Sequence, residues 1–204
     1  MTSRPKSLLE MAGAPLAPAT LEEAVLVVID AQREYRDGAL PLSGIDPALD
    51  VLAGLLARAR AAGSPIIHIA HKGRPGGLFD REGQGGAFLE AAMPLAGETV
   101  IEKGLPNSFA GTNLLEAIEA TGRKKLIVVG FQTHMCVSAT ARAALDLGYL
   151  PTIAADAVAT RDLPDPLTGE TVPAAMLHKA ELAALADRFA IVVRAADIPG
   201  QWAS

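Results

Sequence analysis

Short apolar segments rich in β-branched residues recur along this chain and alternate with segments of helical apolar spacing. We predict six strands, at residues 24–30, 65–70, 98–103, 125–130, 150–156 and 189–194, most of them buried on both faces. Between them, helical spacing covers residues 47–62, 112–120, 137–147 and 173–187, and three of these four segments close at a glycine. The alternation predicts parallel β-α-β units, and hence a three-layer α/β/α sandwich around a mainly parallel, Rossmann-like six-stranded sheet.

The chain is long enough to bury one hydrophobic core and rather short for two, at 204 residues. We predict a single domain over residues 24–204, preceded by an N-terminal arm over residues 1–23. The short apolar pieces of the arm are interrupted by Pro5, Pro15 and Pro18, so we expect no signal peptide. Two arrangements of the arm are open: packing on a neighbouring subunit, or disorder.

Composition and charge favour a small-molecule substrate. The formal net charge is −5, and no dense run of Lys and Arg occurs, so we expect neither a nucleic acid nor an anionic membrane as partner. No apolar run approaches the roughly 20 residues that span a bilayer. Cys136 is the only cysteine, so no intramolecular disulfide is possible and nothing indicates an oxidising compartment. We therefore expect a cytoplasmic protein.

Three residues of different chemical type fall at the carboxyl ends of predicted strands. Asp30 ends the first strand, Lys103 ends the third, and Cys136 follows the fourth. Ligands of open α/β sheets bind at this edge, so the carboxylate, the cation and the thiol are predicted to converge there. Cys136 also precedes a predicted helix, whose N-terminus is expected to lower the pKa of the thiol. Each residue has an ordinary alternative: Cys136 as buried packing, Asp30 as a turn cap, and Lys103 as a surface charge.

Segments spread over nearly the whole chain resemble a known superfamily. They are VVIDAQREY (27–35), EKGLPNSFAGTNL (102–114), VVGFQTHMCVSATARAALDLGY (128–149), ADAVATRDL (155–163) and LHKAELAALADRFAIV (177–192). By these segments the chain resembles the isochorismatase-like cysteine hydrolases, which include nicotinamidases and N-carbamoylsarcosine amidohydrolase. The resemblance implies that Asp30, Lys103 and Cys136 form a catalytic triad. It also implies a homodimer or homotetramer that needs no cofactor.

The resemblance gives each member of the triad a role. Cys136 would attack an amide-like carbonyl carbon and form a thioester that water hydrolyses. Asp30 would take the thiol proton and later protonate the leaving amine, while Lys103 would favour the thiolate and hold Asp30 in place. A cis peptide bond is implied between Phe131 and Gln132, with the N–H groups of Gln132 and Cys136 forming an oxyanion hole. The leading prediction is therefore a hydrolase of small amide or ureido carbon–nitrogen bonds.

The histidines do not predict a metal site. Nicotinamidases carry a metal-binding Asp-x-His with a further His, and no Asp-x-His follows the first strand here. His68 and His71 are the nearest candidates, but residues three apart at a strand end point to opposite sides, and two histidines alone make a poor site. We therefore predict no metal and interpret His71 as structural or substrate-lining.

Other residues near the triad are candidates for the substrate pocket. His134 lies just before Cys136 and either lines the pocket or caps the helix. Phe109 lies at the pocket edge by the resemblance, or else in the core. His178 is remote from the triad in sequence, and we expect it in packing or at an interface.

A glycine-rich segment, residues 72–86, contains six glycines between the second strand and the next helical stretch. One prediction is a lid, with Phe79 in the segment or Phe88 just after it closing over substrate. The alternatives are a subunit contact and an ordinary flexible loop.

Three other functions stay open at this point. Isochorismatases proper cleave a vinyl ether without needing a thiol, so the presence of Cys136 favours amide-type substrates. A thiol redox protein would use Cys136 against peroxide but does not need Lys103 and Asp30. A non-catalytic scaffold acting through oligomer contacts does not need an intact triad.

Overall fold

The computed structural model describes residues 4–200 of the chain. Residues 1–3 of the predicted arm and residues 201–204 of the predicted domain lie outside the described range. The strands are β1 (Ala24–Ile29), β2 (Ile66–His71), β3 (Thr99–Lys103), β4 (Lys125–Phe131), β5 (Thr152–Ala159), β6 (Leu163–Pro164), β7 (Thr171–Val172) and β8 (Ile191–Val193). The α-helices are α1 (Leu8–Met11), α2 (Ile45–Ala61), α3 (Leu114–Ala120), α4 (Ser138–Asp146) and α5 (Ala174–Arg188).

Six of these strands form one sheet in the order β3-β2-β1-β4-β5-β8, and every neighbouring pair is parallel. The predicted three-layer α/β/α fold with a six-stranded sheet is therefore confirmed. The remaining two strands, β6 and β7, form a small antiparallel hairpin, which the sequence analysis did not anticipate.

Both faces of the sheet are covered by hydrophobic cores. One core packs α2 against the sheet, and the other packs α3, α4 and α5 against the opposite face. Even-numbered residues of β1 enter the first core and odd-numbered residues enter the second, because successive side chains of a strand alternate. Burial on both faces explains why the strands are nearly continuous apolar runs.

The N-terminal arm packs on the chain's own domain. The Leu8 N–H donates to the carboxylate of Asp187 in α5 at 2.8 Å, and the Leu9 side chain is buried. Further along, the Ala19 N–H donates to the Thr152 hydroxyl at 2.9 Å. These contacts therefore hold parts of the arm against the domain of the same chain.

No helix within residues 4–200 is both long enough and apolar enough to cross a membrane.

The strand order creates a crevice between β1 and β4. The chain runs outward from β1 through β2 to β3, and then returns to the other side of β1 through β4, β5 and β8. A reversal of this kind is where ligands bind in open α/β sheets, beyond the carboxyl ends of the strands. Asp30 directly follows β1 at this crevice, and Gln132 directly follows β4.

Gly130 lets β4 approach β1 closely just before the crevice. Its φ of 108° lies in the region that favours glycine, and a Cβ at this position would overlap the carbonyl oxygen of Ile29. The pairing of β4 with β5 also shifts register between Val128 and Gly130. A larger residue at position 130 would therefore push apart the two strands that carry the site.

Candidate active site

The three residues predicted to converge do lie in contact. Asp30 Oδ2 is 2.7 Å from Lys103 Nζ, and the same nitrogen donates to Cys136 Sγ at 3.2 Å. The charges of Asp30 and Lys103 both influence the pKa of the Cys136 thiol. All three side chains are buried. A carboxylate, an ammonium group and a thiol therefore form one compact cluster.

Further contacts hold Lys103 in place. Its Nζ donates to the Leu105 carbonyl at 3.1 Å and lies 3.4 Å from His71 Nδ1. Burial, and then the charge of Lys103, lower the pKa of His71, so the neutral ring accepts a hydrogen bond from the ammonium group. His71 therefore lies beside Lys103 at the edge of the cluster.

Burial dominates the acid–base properties of the cluster. It raises the pKa of Asp30, although the Lys103 charge opposes the shift. Burial and then the Asp30 charge raise the pKa of Cys136 to about 12, and Lys103 only partly offsets this. The expectation of a thiol pKa lowered toward neutrality is therefore wrong, because the desolvation of a buried thiolate outweighs the nearby cation. At rest the site holds a thiol, and forming the thiolate requires a base.

A cis peptide bond and a π-helical turn shape the backbone around Cys136. A cis peptide bond joins Phe131 to Gln132, and residues Thr133–Val137 form one π-helical turn. The N–H groups of Met135 and Val137 both donate to the Gln132 carbonyl at 3.1 Å. Among the loop and cap hydrogen bonds of the described chain, none is donated by the N–H of Gln132 or Cys136. These two N–H groups are the ones that the family resemblance assigns to an oxyanion hole.

Asp30 adopts an unusual backbone conformation. Its φ is +49°, in the left-handed region, which Asp tolerates better than most residues. The Asp30 N–H donates to the Ile69 carbonyl at 3.0 Å, and its own carbonyl accepts the Gln32 N–H at 2.7 Å. These bonds fix the turn after β1 and aim the carboxyl group at Lys103.

Two histidines make hydrogen bonds at the turn that carries Cys136: His134 lies within the turn, and His178 reaches it from α5. His134 Nδ1 lies 2.5 Å from the hydroxyl oxygen of Thr160, which follows β5. His178 in α5 forms a hydrogen bond of 3.0 Å with the Thr133 hydroxyl. Thr160 and His178 also line an apolar groove of about 410 Å³ between α2 and α5. His178 therefore supports the turn that carries Cys136, a role that its position in the sequence did not reveal.

Phe109 and His68 are placed differently. Phe109 is partly buried and packs on the core cluster that contains Cys136. His68 is fully buried, and its Nε2 lies 2.8 Å from Glu98, away from His71. Residues 4–200 contain no cluster of three or more His, Cys, Asp or Glu side chains arranged to hold a metal ion.

A buried carboxylate holds the glycine-rich segment. Glu34 Oε1 accepts the Ala39 N–H at 2.7 Å, and Oε2 accepts the Phe79 N–H at 3.3 Å. The Phe79 ring is buried and packs edge-on against Tyr35 and His71, with centroid distances of 5.0 and 5.1 Å. A Cβ on Gly85 would overlap the Glu34 carboxylate. In this structure the segment is therefore tied to the wall of the site through Phe79.

The sequence analysis missed several side chains at this edge of the sheet. Tyr35 is buried, and its ring packs edge-on against Phe131, the residue before Gln132, with a centroid distance of 6.1 Å. Arg161, next to Thr160, has a buried Nε without a partner. Their residue types gave no signal, because Tyr and Arg are common in loops and only the strand register brings them to the site.

The fold and its crevice define the class first: the protein is a three-layer α/β protein with a buried thiol at the carboxyl edge of a parallel sheet. The chain belongs to the isochorismatase family, because the model of the isochorismatase domain matches residues 24–197. The family resemblance drawn from the sequence is thereby confirmed.

Relatives and solved structures agree with this assignment. The secreted isochorismatase effector Isc1 of Verticillium dahliae is 40% identical over 193 residues, covering 94% of this chain and 98% of that protein. Streptothricin hydrolase of Streptomyces noursei is 40% identical over 175 residues, covering 85% of this chain and 63% of that protein. The crystal structure of an isochorismatase from Pseudomonas putida is 45% identical, with a TM-score of 0.91, covering 96% of this chain and 100% of that one.

More distant relatives include enzymes named as amidohydrolases. Maleamate amidohydrolase of Pseudomonas putida is 30% identical over 153 residues, covering 67% of this chain and 72% of that protein. The protein is therefore an isochorismatase-family hydrolase with amidohydrolase homologues.

Proposed function

We propose that the protein hydrolyses a carbon–nitrogen bond of a small amide or ureido compound through a thioester on Cys136. The observation that carries the proposal is the contact of one ammonium group, Lys103 Nζ, with both the Asp30 carboxylate at 2.7 Å and the Cys136 sulfur at 3.2 Å. Relatives named as a streptothricin hydrolase and a maleamate amidohydrolase support this class of reaction.

The first step couples proton transfer to attack. Asp30 accepts the thiol proton as the Cys136 sulfur forms a bond to the carbonyl carbon, and the carbonyl electron pair moves to oxygen. The raised pKa of Asp30 makes its carboxylate a stronger base than an exposed one. The ammonium of Lys103 stabilises the sulfur as its negative charge develops. The N–H groups of Gln132 and Cys136 donate hydrogen bonds to the oxyanion, and each donor of this kind is worth roughly 3 kcal/mol.

The second stage returns the proton and releases both products. Collapse of the tetrahedral intermediate breaks the carbon–nitrogen bond, and Asp30 donates its proton to the leaving nitrogen. Asp30 then takes a proton from water, whose oxygen attacks the thioester carbon. The carbon–sulfur bond breaks, the acid leaves, and the Asp30 proton returns to Cys136. Each residue ends the cycle in its starting state.

The thiol redox alternative fits the site less well. Reaction with peroxide requires a thiolate, whereas burial raises the pKa of Cys136 to about 12. The amide reaction supplies its own base in Asp30, and peroxide chemistry has no comparable use for the Asp30–Lys103 pair.

We also propose that the protein forms a homodimer or homotetramer and works in the cytoplasm. Exposed apolar side chains on the segments beyond the carboxyl edge of the sheet, Leu105, Met135, Leu167 and Met176, support a homodimer or homotetramer, which light scattering on the purified protein will test. A site that depends on a free thiol favours a reducing compartment such as the cytoplasm. Because one relative is named a secreted effector, fractionation of the source cells is the test of location.

The test of function is ammonia release from a panel of small amides, ureido compounds and nicotinamide, with and without a chelator. The Cys136→Ala variant is measured beside the parent protein, with the fold of both checked by circular dichroism. Ammonia release that the variant loses supports the proposal. Retained turnover of an amide by a folded Cys136→Ala variant would contradict it.

A further inference from the structure

Helix α5 contacts the turn that carries Cys136 at both of its ends. His178 Nδ1 lies 3.0 Å from the hydroxyl oxygen of Thr133, which begins the π-helical turn. Glu181 Oε1 accepts a hydrogen bond of 2.5 Å from the hydroxyl of Ser138, which directly follows the turn. One helix therefore binds the chain on either side of the thiol.

The two contacts come from one face of α5. His178 and Glu181 are three residues apart, and side chains at this spacing are neighbours on a helix surface. Leu185, four residues beyond Glu181, is fully buried in the hydrophobic core that also contains Cys136. Because α5 is a continuous helix of 15 residues, it holds the two ends of the turn at a fixed separation.

The contact at Thr133 is one that the turn cannot easily replace. Thr133 is fully buried, and within residues 4–200 His178 is the one hydrogen-bond partner of its hydroxyl. A buried hydroxyl that loses its partner is destabilising, and the turn can relieve this only by moving. Burial lowers the pKa of His178, so at neutral pH the contact is a hydrogen bond of a neutral ring and its loss removes no charge.

The contact at Ser138 belongs to a larger network. Arg142 Nη2 donates to Glu181 Oε1, and Arg142 Nε donates to the Ser138 hydroxyl, both at 3.1 Å. The same guanidinium lies over the Phe189 ring, 4.2 Å from its centroid. Glu181 thus receives hydrogen bonds from two side chains, and through them it fixes the first residue of α4.

Small movements of this turn matter for the chemistry at the thiol. Gln132, whose N–H is assigned to the oxyanion hole, directly precedes Thr133, and Cys136 supplies both the second N–H and the sulfur. Oxyanion donors act over about 2.7–3.1 Å, and a misplacement of about 1 Å can lower a rate roughly 100-fold. A contact that fixes Thr133 therefore also fixes the donors on either side of it.

We propose that His178 and Glu181 are positioning residues, which hold the turn so that the N–H groups of Gln132 and Cys136 meet the oxyanion. The inference rests on the proposed function and adds residues that set its rate. Neither His178 nor Glu181 takes part in the bond changes, because both act through the hydroxyl groups that they bind.

The direct test compares two reactions of Cys136 that differ in their need for an oxyanion hole. p-Nitrophenyl acetate acylates the sulfur through a tetrahedral oxyanion and releases p-nitrophenol, whereas iodoacetamide alkylates it, releases iodide and the thiol proton, and forms no oxyanion. His178→Ala is expected to lower the acylation rate roughly 10- to 100-fold and the alkylation rate by less than about threefold. The Cys136→Ala variant gives the background of acylation elsewhere. Equal losses of both rates would overturn the inference, as would unchanged acylation in a folded His178→Ala variant.

Conservative replacements separate the hydrogen bond from the packing of the ring. His178→Asn places a side-chain amide where Nδ1 lies and is expected to restore most of the acylation rate. His178→Gln carries its amide one bond further from the backbone and is expected to restore little. Lys179→Gln, at an exposed position on the same helix, is the control and should change neither rate. Equal losses in the Ala, Asn and Gln variants would contradict the role of the hydrogen bond.

Double variants show whether each residue of α5 acts through its partner. Thr133→Val and His178→Ala should each lower the acylation rate, and the double variant should be no slower than the slower single variant. Ser138→Ala and Glu181→Ala form a second pair with the same expectation. Losses that multiply within either pair would remove that contact from the proposal.

Ammonia release from the amide panel separates this inference from the proposed function. If the parent protein releases ammonia while a folded His178→Ala variant is acylated as fast as the parent, the function stands and the role of His178 falls. If no amide is hydrolysed while acylation falls selectively, the positioning role stands and the amidohydrolase proposal falls. Where both are correct, His178→Ala lowers kcat for the amide and leaves KM nearly unchanged, because the lost interaction is made only in the transition state.

Discussion

The two ends of strand β3 carry opposite charges in different settings: the side chain of Lys103 is buried, and that of Glu98 is partly buried. Lys103 ends the strand and binds the Asp30 carboxylate, with the Cys136 thiol 3.2 Å away. Glu98 precedes the strand and binds Arg60 at 2.7 Å and His68 at 2.8 Å. The first cluster includes a thiol and adjoins the crevice, whereas the groups of the second pair only with one another.

The two clusters also differ in the direction in which the pKa values of their acidic groups are shifted. Burial alone would raise the pKa of Glu98, but hydrogen bonds from Arg60, the Leu95 N–H and His68 lower it to about 2. At the other end, burial prevails and raises the pKa values of Asp30 and Cys136. A well-paired cluster of this kind stabilises a fold, whereas groups with raised pKa values are suited to moving protons. Position at the carboxyl edge, rather than residue type, therefore marks the reactive cluster.

Loss of the thiol is expected to have the largest effect on activity. The Cys136→Ala variant should lower kcat for amide hydrolysis by roughly 10³-fold or more, as removal of a covalent nucleophile does in other hydrolases. Initial rates of ammonia release measure the effect. A folded variant that keeps a tenth of the parent activity would place the nucleophile elsewhere.

Replacement of Lys103 by Met should damage both reactivity and stability. It removes an influence that lowers the pKa of Cys136, so the alkylation profile should move to higher pH. It also leaves Asp30 buried without its cation, a change that costs roughly 3–5 kcal/mol. Urea denaturation and the pH dependence of alkylation by iodoacetamide measure the two effects.

The double variant Asp30→Asn with Lys103→Met provides the control for this result. Because it removes both charges, it should recover much of the lost stability while hydrolysis stays abolished. Equal stability of the parent and the single Lys103→Met variant would show that the pair does not matter for folding.

Replacement of Glu98 by Gln should act on stability alone. A carboxylate whose pKa falls from its usual 4.5 to about 2 on folding contributes up to roughly 3 kcal/mol. Because the folded pKa is depressed, this contribution is complete above about pH 4.5 and is lost as the pH falls toward 2. The difference in unfolding free energy between parent and variant, followed from pH 7 downward, should shrink over that range. A change in the alkylation profile of Cys136 would contradict the separation of the two clusters.

Replacement of Glu34 by Gln should have the smallest of these effects. Both carboxylate oxygens of Glu34 accept backbone N–H groups, and a Gln amide can accept only one of them. The loss of about 1 kcal/mol should raise KM a few-fold and expose residues 72–86 to limited proteolysis. Glu82→Gln, at an exposed position in the same segment, is the matched control and should leave both unchanged.

The same pattern of apolar strands predicts both the fold and the convergence of Asp30, Lys103 and Cys136. Buried parallel strands are continuous apolar runs, and their carboxyl ends lie at one edge, so Asp30, Lys103 and Cys136 could be brought together from spacing alone. The strand ends observed for β1 and β3 differ by at most one residue from those predicted.

Features that depend on tertiary packing could not be predicted from the strand pattern of the sequence. The raised pKa of Cys136 reflects burial by surrounding elements, which outweighs the local effect of a following helix. His178 and Arg161 reach the site only through the packing of α5 and the register of β5. The tie between Glu34 and Phe79 joins residues 45 positions apart, in segments with no regular periodicity.

The most direct test of the central claim is the mass of the protein during turnover, measured after an acid quench. The account predicts a covalent adduct on the peptide that contains Cys136, with the mass of the acyl group of the substrate, and its removal by hydroxylamine. Steady ammonia release with Cys136 unmodified at every quench time, together with no hydroxamate when hydroxylamine is present, would contradict it.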